Sequence, residues 1–266
     1  MATVDRPIQT AARAEQNRDF VSSLAKGLAV ICAFGPDKAR MTLSEVALET
    51  DLSRAGARRL LLTLEELGFV HRNGRYFELS PKVLQLGFAF LASHNFGGVV
   101  QHYLEAVTRE LQESCSLAVL DGQDVVYVAR SAAEHRLMSI SLAIGSRLPA
   151  ALTSMGRILL AALPDAEQDA LLAKITLERH TERTITDKAV LKETLRSIRE
   201  HGCCIVDQEL EPSLRSIAVP VLSERGAVVA ALNVSTNAGR VPMEELIQRF
   251  LPVLRRCAES IRPFMV

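Results

Sequence analysis

The stretch that decides the fold of the N-terminal part is TLSEVALETDLSRAGARRLLLTLEELGFVHRNGRYFEL, residues 42–79. It begins with Thr42 and Glu45 at capping-box spacing, which predicts a helix start. Ser53, another N-cap residue type, begins a second helix with apolar residues at helical spacing, and a glycine ends it. Asn73-Gly74 then separates two short runs and predicts a β-hairpin, because a type I′ turn requires positive φ at both central residues. Helix, short turn, helix and hairpin in this order predict a winged helix-turn-helix.

Arginines concentrate on the outer surface of this predicted motif. Residues 52–75 contain five arginines against two glutamates, although the whole chain has a formal net charge of zero. Zero net charge excludes a uniformly basic nucleic-acid-binding protein but permits a local basic face. An arginine fork can bind phosphate or a guanine edge with two hydrogen bonds. We therefore predict a DNA-binding surface on the second helix of the motif and on the wing. It contains Arg54, Ala55, Arg58, Arg59, Arg72 and Arg75.

Two other interpretations of this surface stay open. An arginine-rich helix face can simply be solvated, and a winged helix can serve as a protein-interaction module. The tight helix spacing and the arginines of the wing favour DNA binding over both. Residues 1–18, with Arg6, Arg13 and Arg18, predict a flexible arm, and tracking a minor groove is a second interpretation of these arginines.

The rest of the chain predicts a second domain of α+β class. Hairpin-joined strands and amphipathic helices are typical of an antiparallel sheet covered by helices on one face. The predicted strands are 117–120, 124–130, 137–144, 214–222 and 228–235. The predicted division of the chain is an arm at 1–18, the winged domain at 19–80, an apolar linker helix at 81–96 and the second domain at 97–266.

Composition and motifs exclude several classes of protein. Hydrophobic residues make up 48% and charged residues 23%, which is ordinary for a globular protein with a sizeable core. Five cysteines without a CxxC spacing suit a reducing cytoplasm rather than a disulfide framework. The uncharged stretch 83–104 carries too many polar side chains to span a membrane and predicts two helices with a joint. Metal-binding spacings and the GxSxG, Walker A and HExxH motifs are absent, so we predict no catalytic residue, no metal and no cofactor.

A ligand site is predicted where residues 149–157, PAALTSMGR, join a strand end to a helix start. The first amides of that helix belong to Ser154, Met155 and Gly156. Such amides can bind a carboxylate or a phosphate, and a glycine lets a ligand approach the backbone closely. Arg147 and Arg157 can add positive charge. An ordinary capped helix is the alternative interpretation.

Polar residues within apolar strands are a second indication of a ligand site. Asn233 and Ser235 are two residues apart and therefore lie on one strand face, Ser216 lies in the partner strand, and Asp207 follows an apolar pair. Inward polar groups on a sheet either satisfy one another or hold a ligand. Both interpretations stay open, and the predicted carboxylate seat favours a ligand.

Several of these segments resemble the IclR family of transcription regulators. They are residues 20–31, 52–59, 67–70, 153–157, 207–211 and 214–218. The resemblance implies a winged-helix domain, a linker helix that dimerises, and a C-terminal effector-binding domain with a GAF-like sheet. It also implies homodimers or tetramers in the cytoplasm that bind palindromic promoter sites in double-stranded DNA, with RNA polymerase as a further partner of an activator.

The resemblance also implies roles for individual residues. Ser53, Arg54, Arg58 and Arg59 fall on the recognition helix, and Arg72 and Arg75 on the wing. The implied effector-binding residues are Thr153, Ser154, Met155, Gly156, Asp207, Ser216, Asn233 and Ser235. Within the family, the sequence resembles regulators of protocatechuate, 4-hydroxybenzoate and β-ketoadipate catabolism, and this resemblance implies a small aromatic or dicarboxylic acid as the effector.

Two other classes of function stay in competition with a ligand-controlled regulator. One is an enzyme whose active site is the C-terminal pocket, and the other is a DNA-binding structural protein without a ligand. The segment Glu211-Pro212-Ser213 departs from the family pattern, because relatives often have a glycine-containing loop there. A proline at this position predicts a stiffer pocket rim.

Overall fold

A computed structural model of the chain describes residues 19–94, 96–133 and 142–265. The described residues form two compact units, which divide between residues 90 and 91. The predicted arm at 1–18 and most of the predicted strand 137–144 lie outside the described residues, as does Asn95 at the predicted domain boundary.

The described part of the N-terminal unit holds the helices of the predicted motif and a three-stranded sheet. Its elements are α1 (Ser22–Cys32), β1 (Arg40–Thr42), α2 (Leu43–Glu49), α3 (Arg54–Glu66), β2 (Val70–Asn73) and β3 (Tyr76–Leu79). β3 lies in the middle of the sheet and pairs antiparallel with both β1 and β2. This arrangement is the winged helix-turn-helix that the sequence predicted, with β1 added to the wing.

Local hydrogen bonds fix the two helices of the motif where the sequence placed them. The Thr42 hydroxyl accepts from the Glu45 amide at 3.4 Å, and the Glu45 carboxylate accepts from the Thr42 amide at 2.6 Å, which completes the capping box. The Ser53 hydroxyl accepts from the Gly56 amide at 3.1 Å. An N-cap of this kind contributes about 1 kcal/mol to stability. The hairpin turn consists of Gly74 and Arg75, since Asn73 pairs with Tyr76, and only Gly74 has a positive φ, at +60°. The predicted type I′ turn at Asn73-Gly74 needs two positive φ angles and is therefore wrong, although the predicted hairpin itself is present.

One face of α3 forms the core of this unit, and this leaves the other face in solvent. Ala57, Leu61 and Leu64 of α3 are buried against α1, α2 and the sheet. These residues recur three and four positions apart, so they form one stripe of the helix. The remaining α3 surface, which carries the arginines, therefore faces water.

The uncharged stretch 83–104 folds as two helices with a joint, as predicted. Helix α4 (Leu84–Ser93) has no buried residue in the isolated chain, whereas α5 (Val99–Leu111) buries one face. No helix among the described residues is long and apolar enough to cross a membrane.

The second unit contains a six-stranded antiparallel sheet. After α5 its elements are β4 (Ser114–Asp121), β5 (Asp124–Ser131), β6 (Arg147–Pro149), α6 (Ser154–Ala162), α7 (Asp165–Lys174), α8 (Lys188–His201), β7 (Cys204–Asp207), β8 (Leu214–Leu222), β9 (Val228–Asn237) and α9 (Leu251–Ile261). The strand order is β6-β5-β4-β9-β8-β7.

Helices cover both faces of this sheet, so the prediction of a sheet covered on one face is wrong. One face packs against α5 and α9 through residues such as Leu104, Leu232 and Leu254. The other packs against α6 and α8 through residues such as Met155 and Leu195. The reason lies in the strands β8 and β9, which are buried along almost their whole length and are largely apolar at successive positions, as strands covered on both faces are.

The C-terminal helix is interrupted near its middle, where the sequence predicted one helix over 242–261. A single helical turn at Met243–Glu245 is followed by a π-helical segment at Leu246–Phe250, and α9 begins after it. Pro252 lies at the start of α9 and has no amide hydrogen to bond the preceding turn. Widening of the turn before a proline is consistent with this missing hydrogen bond.

Candidate functional sites

The predicted DNA-binding residues all lie on the surface of the N-terminal unit. Exposed side chains belong to Ser53, Arg54, Ala55, Arg58, Arg59, Arg72 and Arg75. Within the described residues, none of these five guanidinium groups forms a salt bridge, so their charges are available to a partner. Arg54, Arg58 and Arg59 lie on α3 away from its buried stripe, as expected for a helix that reads DNA.

The arginines of the wing are held in place by the hairpin itself. Arg72 Nε donates to the Gly74 carbonyl at 3.2 Å, and Arg75 Nη2 donates to the Tyr76 hydroxyl at 2.8 Å. This bond to Tyr76 is the main cause that raises the pKa of Arg75 above its usual value. The Arg40 guanidinium also lies 5.5 Å from the centre of the Tyr76 ring. Sequence reasoning missed Arg40 because it stands on β1, a three-residue strand without a hairpin signal.

A cavity opens on the sheet face that carries α6 and α8. It encloses about 340 Å³, including the part open to solvent. Its lining residues are Tyr127, Leu148, Leu152, Thr153, Val206, Leu210, Leu214, Ser216, Asn233 and Ser235. The structure thus brings together four of the predicted effector-binding residues, namely Thr153, Ser216, Asn233 and Ser235.

Strand register explains why these polar residues meet and why Asp207 does not join them. Ser216 is directly opposite Val206 on one side and Ser235 on the other, so all three share the cavity face. Asp207 is opposite Arg215, one residue further, and therefore belongs to the other face. Asp207 therefore does not line the cavity, and the prediction that it does is wrong.

Asp207 is instead the centre of an ion-pair cluster. Its carboxylate accepts from Arg215 Nε at 2.7 Å and also pairs with the exposed Arg183. Burial alone would raise the pKa of Asp207, but the bond to Arg215 and the two positive charges outweigh it, so the pKa lies below its usual value. The residue therefore remains ionised at neutral pH.

The start of α6 contributes less surface to the cavity than the sequence suggested. Thr153 lines the cavity, and its hydroxyl caps the helix by accepting from the Gly156 amide at 3.0 Å. Ser154, Met155 and Gly156 are buried and do not line it, and a Cβ at Gly156 would overlap the backbone of Ala150. The glycine therefore serves close packing of backbone, not access for a ligand.

The start of α6 also contains polar groups to which the helix itself offers no hydrogen-bond partner. The amides of Ser154 and Met155 occupy the first two helical positions, which have no intrahelical acceptor. The Ser154 hydroxyl is buried and has no hydrogen-bond partner among the described residues. A buried polar group without a partner costs about 1–3 kcal/mol, so a bound ligand or water that satisfied it would be favoured.

The two arginines predicted to add positive charge to this helix start form salt bridges with other residues instead. Arg147 donates to the Asp121 carboxylate at 2.6 Å and pairs with Asp124 at 3.3 Å. Arg157 is buried and forms two hydrogen bonds with Glu209, at 2.7 and 2.6 Å. That prediction is wrong, because both guanidinium groups already have carboxylate partners that are distant in sequence.

Burial raises the pKa of two side chains on this face of the sheet, Tyr127 and Cys204. Burial raises the pKa of Tyr127 to about 12, so its phenol, which lines the cavity, stays protonated at neutral pH. Burial likewise raises the pKa of Cys204 to about 12, which leaves a thiol rather than a nucleophilic thiolate. Sequence reasoning missed Tyr127 because strand alternation alone does not give its face in a strand with a bulge.

An exposed arginine-bearing helix and wing in one unit, and a cavity lined by hydroxyl groups in the other, define a helix-turn-helix transcriptional regulator with a separate small-molecule domain. Residues 23–74 match the IclR helix-turn-helix domain, and residues 88–262 match the C-terminal domain of the bacterial transcriptional regulator IclR. The chain belongs to the IclR family, whose members are DNA-binding transcriptional regulators and not enzymes.

Individual relatives support the same assignment. The Pca regulon regulatory protein of Pseudomonas putida is 48% identical over 243 residues, which cover 91% of this chain and 84% of that protein. A transcriptional-regulator structure from Rhodococcus sp. RHA1, RHA06195, is 48% identical with a TM-score of 0.82 and covers 92% of this chain and 98% of its own. The inducer-binding domain of a double mutant of the PobR transcription factor from Acinetobacter, in complex with 3-hydroxybenzoic acid, is 36% identical with a TM-score of 0.59, over 63% of this chain and 97% of that one.

Proposed function

We propose that this regulator controls genes of aromatic-acid catabolism, in the protocatechuate and β-ketoadipate pathway, in response to a small organic acid bound in the cavity. The observation that carries the proposal is the cavity itself, where Tyr127, Thr153, Ser216, Asn233 and Ser235 offer polar groups among aliphatic walls. This composition suits a small ligand with a flat apolar body and polar ends. The names of the Pseudomonas and Acinetobacter relatives point to the same class of compound.

DNA contact is assigned to α3 and the wing. The N-terminal half of α3, from Ser53 and Arg54 through Ala55 to Arg58 and Arg59, would enter the major groove, as recognition helices do. The arginines of the wing would bind the adjacent backbone or minor groove. Phosphate contacts supply salt-dependent affinity, and the bidentate arginines that reach base edges supply sequence preference.

A homodimer is the proposed binding unit, and a tetramer would be a pair of such dimers. Leu84 and Phe88 of α4 are 74% and 70% exposed in the single chain, and α1 exposes Leu24 in the same way. An apolar helix surface of this kind is normally covered by a partner. Two copies would read a palindromic promoter site with half-sites about 34 Å apart. RNA polymerase would be a further partner if the protein activates transcription in the cytoplasm.

The effector would act only through a difference in its affinity for two arrangements of the dimer. Polar groups of the ligand would bind the hydroxyl groups of Thr153, Ser216 and Ser235, and the two free amides at the start of α6 would receive one polar end. Thr153, which precedes these amides in the chain, lines the cavity, whereas Ser154 and Met155, which follow it in sequence, are buried and do not line it.

Fluorescence anisotropy of the full chain on DNA from its own upstream region tests this function. We expect tight binding at low salt, and a change in affinity on adding 4-hydroxybenzoate, 3,4-dihydroxybenzoate or 3-oxoadipate. Asn233→Leu should abolish the response to acid but keep DNA affinity, because it removes a polar group from the cavity wall. No DNA binding at low ionic strength, or a full acid response in Asn233→Leu, would contradict the proposal.

A further inference from the structure

Arg130 of β5 is half-buried, and its contacts among the described residues do not neutralise its positive charge. Its Nη1 donates to the Ser116 hydroxyl at 3.1 Å, and among the described residues no carboxylate forms a salt bridge with it. Burial lowers the pKa of Arg130 below its usual value, which reflects the cost of holding this charge away from water. Other shielded arginines of the same unit differ, since Arg157 and Arg215 are each bound to a carboxylate.

A β-bulge turns Arg130 toward the cavity face of the sheet. The β4–β5 register pairs Leu117 with Ala129 but Ala118 with Tyr127, so Val128 is an extra residue. Val128 and Ala129 both pack on the opposite face, toward α5 and α9. Tyr127 and Arg130 are three positions apart and would lie on opposite faces of a regular strand, but here they share one. Bulges are commonly found where a functional side chain is re-aimed.

Cross-strand pairing connects Arg130 to Asn233, a residue of the cavity wall. Arg130 is opposite Ser116, and Ser116 is opposite Asn233, which lines the cavity. Cross-strand neighbours of this kind have Cβ atoms about 4.5–5.5 Å apart. The Asn233 side-chain oxygen is buried without a hydrogen-bond partner among the described residues. Arg130 itself does not line the cavity, but it lies two strands away from Asn233 on the same sheet face.

We propose that Arg130 binds the carboxylate of the effector and makes this regulator respond to acids rather than to their neutral analogues. This inference rests on the proposed function of the cavity. The guanidinium offers a planar fork that matches a carboxylate, and the ligand charge compensates an arginine that has no acidic partner among the described residues. The hydroxyl groups of Ser216 and Ser235 and the helix start at Thr153 then bind the other polar groups of the ligand.

The test compares an acid with its own amide, 4-hydroxybenzoate with 4-hydroxybenzamide, by calorimetry on the full chain. The natural chain should bind the acid roughly 10- to 100-fold more tightly, as expected for a hydrogen-bonded charge. Arg130→Gln should lower affinity for the acid while leaving that for the amide nearly unchanged, so the ratio falls toward one. Arg130→Lys should keep part of the preference, because it retains the charge but not the fork.

Arg225→Gln is the matched control, since Arg225 is exposed in the turn between β8 and β9. It should keep the full acid preference, and circular dichroism should show that each variant is folded. A normal acid-to-amide ratio in Arg130→Gln would overturn the inference and assign the carboxylate to the start of α6. If the natural chain bound neither compound nor any other acid tested, the proposed function itself would fail, which is a different result.

Discussion

Arg157 and Glu209 form a bidentate salt bridge inside the second unit, where their side chains are only 2% and 10% exposed. Arg157 belongs to α6, and Glu209 follows β7. The Glu209 carboxylate also accepts from the Ile185 amide at 3.1 Å, and its carbonyl accepts from the Thr184 hydroxyl at 2.7 Å. The next residue, Leu210, lines the cavity. The ion pair therefore fixes the cavity rim to the helix whose start forms another part of the wall.

Glu209→Gln should destabilise the protein strongly, because it leaves the buried Arg157 guanidinium without a counter-charge. Removing one partner of a buried pair costs about 3–5 kcal/mol. Asp169→Asn breaks the exposed pair with Lys192 and should cost under about 1 kcal/mol. Urea denaturation of both variants measures the difference. Similar losses for the two would show that burial does not govern the strength of the Arg157–Glu209 interaction.

Much of the N-terminal unit followed from sequence because its signals are local. The capping box of Thr42 and Glu45 and the hairpin turn that includes Gly74 each depend only on residues three or four positions apart. Strand β1 escaped prediction because it is three residues long and pairs with β3, more than thirty positions away in sequence.

The cavity was predictable only in part, because its geometry depends on register and on long-range partners. Ser216 and Ser235 were found from their polarity within apolar strands, but the face of Asp207 is decided by its pairing with Arg215. The carboxylate partner of Arg157 lies 52 residues away. A bulge at Val128 has no sequence signal of its own, and without it the face of Arg130 cannot be assigned.

Arg58→Ala should weaken operator binding and leave thermal stability nearly unchanged, because the side chain is exposed and forms no salt bridge among the described residues. If Arg58 contacts a phosphate, the slope of log affinity against log salt should also fall by about one. Anisotropy titrations at several salt concentrations measure both effects. Arg225→Ala removes an exposed arginine of the second unit and should change neither. A large loss of stability with unaltered DNA binding would refute the role of Arg58.

Acidification should weaken the fold partly through Asp207. Its pKa is lowered in the folded state, so the unfolded chain takes up this proton more readily. The stabilising contribution is therefore complete above the unfolded pKa, about 3.9, and is lost as the pH falls toward the lower folded value. Urea midpoints of the natural chain and Asp207→Asn should differ at pH 6 and converge below about pH 4. A constant difference across this range would argue against the ionised Asp207–Arg215 contact.

Gly156→Ala should destabilise the second unit and weaken effector binding, although alanine favours helices by about 1 kcal/mol. The added Cβ would overlap the backbone of Ala150, which cannot swing aside as a flexible side chain can. Overpacking of this kind costs about 1–3 kcal/mol, and the required shift moves Thr153 on the cavity wall. Gly35→Ala is the control, because a Cβ on this residue meets nothing within 4 Å and its φ of −158° is open to any residue. Urea denaturation and calorimetry with 4-hydroxybenzoate should show loss for the first variant and none for the second. Equal stability of the two would mean that the turn before α6 yields, and that Thr153 is not held by this contact.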